Sequence, residues 1–110
     1  MAYDERLAAR VRAMLDGQRV EEKPMMGGLT FMVNGKMCVG VTKSDLMVRV
    51  GPHNYAAALD RKGCRPMDFT VRPMRGFVFV GPEGVGTAQE LKHWVTLALA
   101  FNAEAKASRK

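Results

Sequence analysis

Nowhere does the chain carry an apolar run near the roughly 20 residues that a bilayer-spanning helix needs, and that excludes a transmembrane helix. The opening stretch, MAYDERLAARVRAML, scatters charge and leaves no continuous apolar centre. An ordinary secretory signal is therefore not expected, and the reading places the protein in the cytoplasm. Cysteine is scarce. Cys38 and Cys64 lie far apart with no C-x-x-C spacing, so both are expected reduced, Cys38 as a small hydrophobe inside a strand pattern. His53 and His93 are lone residues in different elements, in none of the spacings that hold a metal. The acidic residues are dispersed over helix ends and turns, with no pair set for acid–base work. The expectation is a protein that is not an enzyme, with no catalytic residues, no metal and no cofactor.

What is present suits one compact domain. The chain has 110 residues, of which 47 % are apolar and 25 % charged, which is globular composition rather than disordered. A single domain is expected over residues 1–105, followed by a frayed polar tail, 106–110. Nine methionines suit the filling of an irregular core.

Periodicity gives the elements. From Asp4 to Asp16, Leu7, Val11, Met14 and Leu15 recur at helical spacing, with Asp4 and Glu5 at the positive start and Gly17 as the stop. From Leu29 to Val50 the pattern becomes strand-like and is punctuated at Asn34-Gly35 and Lys43-Ser44-Asp45, which reads as three strands in two hairpins. A two-residue turn at Asn34-Gly35 would leave both sheet faces mixed. A longer, bulged loop closing on Gly35 instead places Leu29 and Phe31 on the face of Met37, Val39 and Val41, with Lys36 and Cys38 opposite, and this register is preferred. Leu46, Val48 and Val50 continue the buried face, with Met47 and Arg49 on the other. Pro52 opens a short helix to about Asp60. Met67–Val71 reads as a short strand, and Phe77–Val80, apolar on both faces, as a central one. Thr87 and Glu90 form a T-x-x-E capping box before a last helix whose stripe is Leu91, Trp94, Val95, Ala98 and Leu99. The fold class is therefore α+β in two layers: an antiparallel five-stranded sheet with helices on one face, in the order α-β(3)-α-β(2)-α.

Two motifs bear on function. The loop Gly81-Pro82-Glu83-Gly84-Val85-Gly86-Thr87 sits between strand and helix, where phosphate loops occur. It lacks the Walker lysine and carries a repelling Glu83, so it reads as a connector. The net charge of +6 is concentrated: Arg61, Lys62, Arg65, Arg72 and Arg75 against Asp68 alone make residues 61–75 net +4. These five are the candidate site for an anionic partner, because clustered positive charge is what phosphate contact requires. Cys64, flanked by Lys62 and Arg65, is the one candidate reactive thiol, since neighbouring cations favour the thiolate.

The run MGGLTFMVNGKMCVGV (26–41), followed by DLMVRVG (45–51), RPMDF (65–69) and MRGFVFV (74–80), resembles the TfoX N-terminal domain family from about Met25 to Phe101. The resemblance implies a two-layer α+β unit of the same element order. Regulators of the TfoX or Sxy type carry such a domain joined to a second, C-terminal one and act as coactivators of competence-gene transcription. This chain stops just past the last helix, so a stand-alone member of the family is expected. What the resemblance implies is an interaction or regulatory module with a protein partner; the alternative is a nucleic-acid-binding protein that uses the 61–75 stretch. An open sheet has two edges, so a homodimer is a further option.

Overall fold

The computed structural model describes residues 3–25, 27–66 and 76–104, and these form three helices and one six-stranded sheet. Helix α1 spans Glu5–Met14, and the side chain of Asp4 caps it by accepting from the N–H groups of Arg6 and Leu7. Four strands follow: β1 (Val20–Met25), β2 (Gly28–Val33), β3 (Lys36–Thr42) and β4 (Asp45–Arg49). A 3-10 turn at Pro52–Asn54 leads into the short helix α2 (Tyr55–Leu59). Then come β5 (Cys64–Pro66), β6 (Phe77–Val80), a second 3-10 turn at Pro82–Gly84, and α3 (Ala88–Asn102). The sheet order is β1-β2-β3-β4-β6-β5, with every neighbouring pair antiparallel. Among the described residues no helix is long and apolar enough to cross a membrane.

Six strands replace the expected five. The additional one is β1, whose sequence VEEKPM carries three charges and a proline. It is an edge strand, where charge and proline are tolerated because one side makes no ladder. The expected strand Met67–Val71 lies outside the described residues; the strand found beside β6 is β5, slightly earlier in the chain.

The β2–β3 hairpin combines both registers that the sequence offered. Asn34 and Gly35 both have positive φ (53° and 79°), and Val33 pairs with Lys36, so the turn has only two residues. The correction to the apolar register comes inside the ladder: Phe31 pairs with Val39 but Met32 pairs with Met37, leaving Cys38 as an extra residue on β3. Leu29 and Phe31 therefore do lie across from Val41 and Val39. Cys38 enters the main core, and Met37 turns to the second face, the reverse of the expected assignment.

One face of the sheet carries the main core. Phe31, Val33, Val39, Val41, Leu46, Val48, Val50, Val78 and Val80 are fully buried there against Leu7, Val11, Leu91 and Trp94. All three helices contribute to this cluster, α2 through Ala58. Each fully buried aliphatic side chain contributes about 1.5–3 kcal/mol, so this layer contact dominates the stability. Helix α3 begins in the capping box of Thr87 and Glu90, with both reciprocal hydrogen bonds formed. Its far end is pinned to the β2–β3 hairpin: the Asn102 amide donates to the Val33 carbonyl (3.0 Å), and Lys36 Nζ donates to the Asn102 carbonyl (2.8 Å). The second face carries a smaller cluster, Met47 and Phe79 with Met37 and Phe77 packed beside them.

Candidate functional site

The turn between α2 and β5 delivers Arg61, Lys62, Cys64 and Arg65 within five positions, and the sheet then divides them. Arg61 lies on the helix side, its guanidinium carbon 5.8 Å from the centroid of the Trp94 ring. Lys62 also turns to α3 and pairs with Glu90 (Nζ to Oε2, 3.5 Å). Arg65, in β5, takes the second face. Its register partner is Phe79, its guanidinium sits 5.2 Å from that ring, and it pairs with Asp45 at 2.5 Å. Arg61 and Lys62 leave the turn before β5 toward α3, whereas Arg65 lies within the strand, where alternation sends it to the face opposite its neighbour Cys64, which packs on the main core. Arg72 and Arg75 lie outside the described residues.

Each described cation of the stretch thus has an intramolecular neighbour. The ion pairs are solvent-exposed, and pairs of that kind contribute about 0–1 kcal/mol, so they orient side chains rather than hold the fold. Arg61 does more for packing: its guanidinium lies over the ring of Trp94, a residue only 1 % exposed. The indole N–H of Trp94 in turn donates to the Gly84 carbonyl (3.3 Å), which ties the glycine loop to α3. His93 stands edge-on to Trp94 (5.3 Å between centroids), with Nε2 buried and without a hydrogen-bond partner among the described residues. Burial, assisted by the Arg61 charge, holds its imidazole below the ordinary value of 6.5.

Cys64 is half-buried. Burial pushes its thiol up to about 11, against the opposing pull of Arg65 and Arg61. The flanking charge acts in the direction the sequence suggests, and desolvation outweighs it. Cys38, deeper, is pushed up to about 12 by the same cause. The two cysteines are free thiols.

Among the described residues no three His, Cys, Asp or Glu side chains gather as metal ligands would. A surface depression of about 510 Å³ is open and runs along the outer side of α3 past Gln89, Lys92, His93, Thr96 and Leu97. A shallow trough of this kind does not enclose a small molecule as a ligand pocket does.

One residue of chemical interest escaped the sequence reading. Arg49 looks like an ordinary outward-facing strand residue, yet its guanidinium lies 5.4 Å from the centroids of both Phe77 and Phe101. Phe77 is its cross-strand partner. Phe101 arrives from the last turn of α3, and no local pattern links it to position 49.

The family model described as TfoX N-terminal domain matches residues 12–102. No curated protein and no solved structure matches the chain.

Proposed function

Because the chain belongs to the TfoX N-terminal domain family, with a match that covers most of its length, we propose that it is a non-catalytic interaction module with a regulatory role, acting on a protein partner in the cytoplasm. The observation that carries this reading is the division of the basic turn. Arg61 and Lys62 lie against α3 while Arg65 lies across the sheet on Phe79 and Asp45. A phosphate backbone is contacted by cations that share one surface, and these three do not. A regulatory domain that binds protein needs no such stripe.

The sheet edges offer a partner little. β1 presents Glu21, Glu22, Lys23 and Pro24, and β5 is three residues long and ends in Pro66. Charge, proline and shortness are the devices that discourage strand-to-strand association. The broader surfaces are the second sheet face around Met37, Met47, Phe77 and Phe79 and the outer sides of α1 and α3.

Affinity capture at cellular protein levels tests the proposal, with one arm treated with nuclease. A specific protein partner retained after nuclease treatment is the expected result. Capture that disappears with nuclease, or no specific partner in either arm, contradicts it.

A further inference from the structure

Arg49 differs from Arg12 and Arg65, the other arginines that meet a ring of the sheet. Arg12 has Glu22 and Arg65 has Asp45. Arg49 Nη1 is buried and has no hydrogen-bond partner among the described residues. A guanidinium does not escape that cost by releasing its proton, because it stays charged throughout the physiological range. A charge-bearing N–H group buried without a partner loses its hydration, and at Arg49 the two aromatic rings replace that only in part. The adjacent Cys38 thiol is no counter-ion, because burial keeps it protonated at neutral pH.

We propose that Arg49 is a receptor for a single carboxylate, presented by a molecule whose adjoining body is apolar. Two aromatic rings, Phe77 from the sheet and Phe101 from α3, hold the guanidinium at the end of the strands. Contact with ring faces leaves its in-plane N–H groups as the donors, and a planar carboxylate accepts two of them side by side. Charge balance selects the ligand. Counted over the described residues, one cation with one carboxylate is neutral, whereas a dianionic phosphate would leave excess negative charge beside the C-terminal end of α3, already the negative end of the helix dipole. The nearby cation that serves that end, Lys36, is engaged with the Asn102 carbonyl. The apolar surroundings, Phe77 with Met47 and Phe79 beyond it, favour a ligand with an apolar body. Arg49 and Phe101 are each partly exposed while Nη1 itself is buried, so a carboxylate reaches the whole fork only as the ring cage rearranges.

The ligand chemistry has two sources, a free carboxylic acid and the terminal carboxylate of a peptide. The site does not depend on the interaction-module reading, which stands or falls with capture of a partner. The test is a titration of the full chain, following the Arg49 side-chain N–H and the Phe77 and Phe101 ring signals by NMR. The probes are benzoate, an N-acetylated peptide ending in phenylalanine with a free carboxylate, and the amidated form of that peptide, with sodium chloride at matched ionic strength as the control. A saturable shift below about 10 mM is expected with a carboxylate probe and not with the amide or chloride. Saturation by benzoate alone identifies a small-acid site, and saturation by the peptide alone identifies a chain-terminus site. R49K should weaken binding at least about tenfold, because an ammonium cannot replace the planar fork. R49M should abolish binding while keeping the spectrum of a folded protein. Shifts that stay linear for every probe, or that persist unchanged in R49K, overturn the proposal.

Discussion

The ring of Phe101 occupies the space where any residue other than glycine would carry its β-carbon at position 51: a Cβ there would stand 2.4 Å from Phe101 Cδ1. Gly51 also has φ 87° with ψ 159°, a backbone region essentially confined to glycine. Gly51→Ala should therefore destabilise the protein by about 2–3 kcal/mol, combining overpacking with backbone strain. Urea denaturation measures the loss. In the background of Phe101→Ala the same substitution should cost less, only the backbone part, about 1–2 kcal/mol. Equal costs in both backgrounds would show that the ring and the glycine do not interact.

The capping box is a local determinant with a local consequence. Thr87→Ala removes the hydroxyl that accepts from the Glu90 N–H at 3.1 Å. It should lower stability by about 1 kcal/mol, seen as an earlier urea midpoint with an unchanged slope. Thr87→Ser should retain most of that stability. Loss in the serine variant as large as in the alanine variant would contradict a capping role.

These features were legible in the sequence for different reasons. The capping box, the buried face Leu46-Val48-Val50 and the two-faced strand Phe77–Val80 are written in short-range patterns, and they fold as those patterns read. β1 was not legible, because an edge strand buries little and VEEKPM has no apolar alternation. The Cys38 bulge was hidden because one extra residue inside a ladder leaves the turn signal at Asn34-Gly35 intact while exchanging the faces of Met37 and Cys38. The basic turn looked like one cluster, since nearness in sequence is what composition reports. Of the three, Arg65 alone lies in a strand, where alternation sends it to the face opposite Cys64, while Arg61 and Lys62 leave the preceding turn toward α3, and only the arrangement of β5 beside β6 fixes which side that is. Arg49 depends on Phe101, a partner distant in sequence.

His93 makes a mildly acidic pH unfavourable. Its folded-state pKa lies below the ordinary 6.5, with burial as the leading cause and the Arg61 charge second. Between the folded and unfolded values the unfolded chain holds more protons, so stability falls as pH drops through about 6.5 and levels off below the folded value. The carboxyls of Glu22 and Glu90 are depressed below 4.5, so their contributions are lost only at lower pH. Chemical denaturation between pH 7.5 and pH 5 should show the decline, and His93→Gln should flatten it. An unchanged slope in that variant would assign the decline to another group.

Both thiols should be sluggish nucleophiles. With Cys64 pushed up to about 11 and Cys38 to about 12, iodoacetamide at pH 7.5 should modify Cys64 more slowly than free cysteine, and Cys38 only after unfolding. Mass spectrometry of timed samples resolves the two sites. Labelling of Cys64 faster than free cysteine would mean that Arg61 and Arg65 outweigh its burial.

The separation of the basic turn is tested most directly by the salt dependence of duplex DNA binding for the wild type, R61Q/K62Q and R65Q. Each phosphate contact contributes about −0.9 to the slope of log K against log salt. With these cations on opposite sides of the sheet, any duplex that engages Arg61 and Lys62 leaves Arg65 untouched, so R65Q should keep the wild-type slope while R61Q/K62Q reduces it, or binding should be absent throughout. A slope that falls in R61Q/K62Q, falls again in R65Q, and falls by the sum of the two when the changes are combined would place all three cations on one nucleic-acid surface and contradict the division described above.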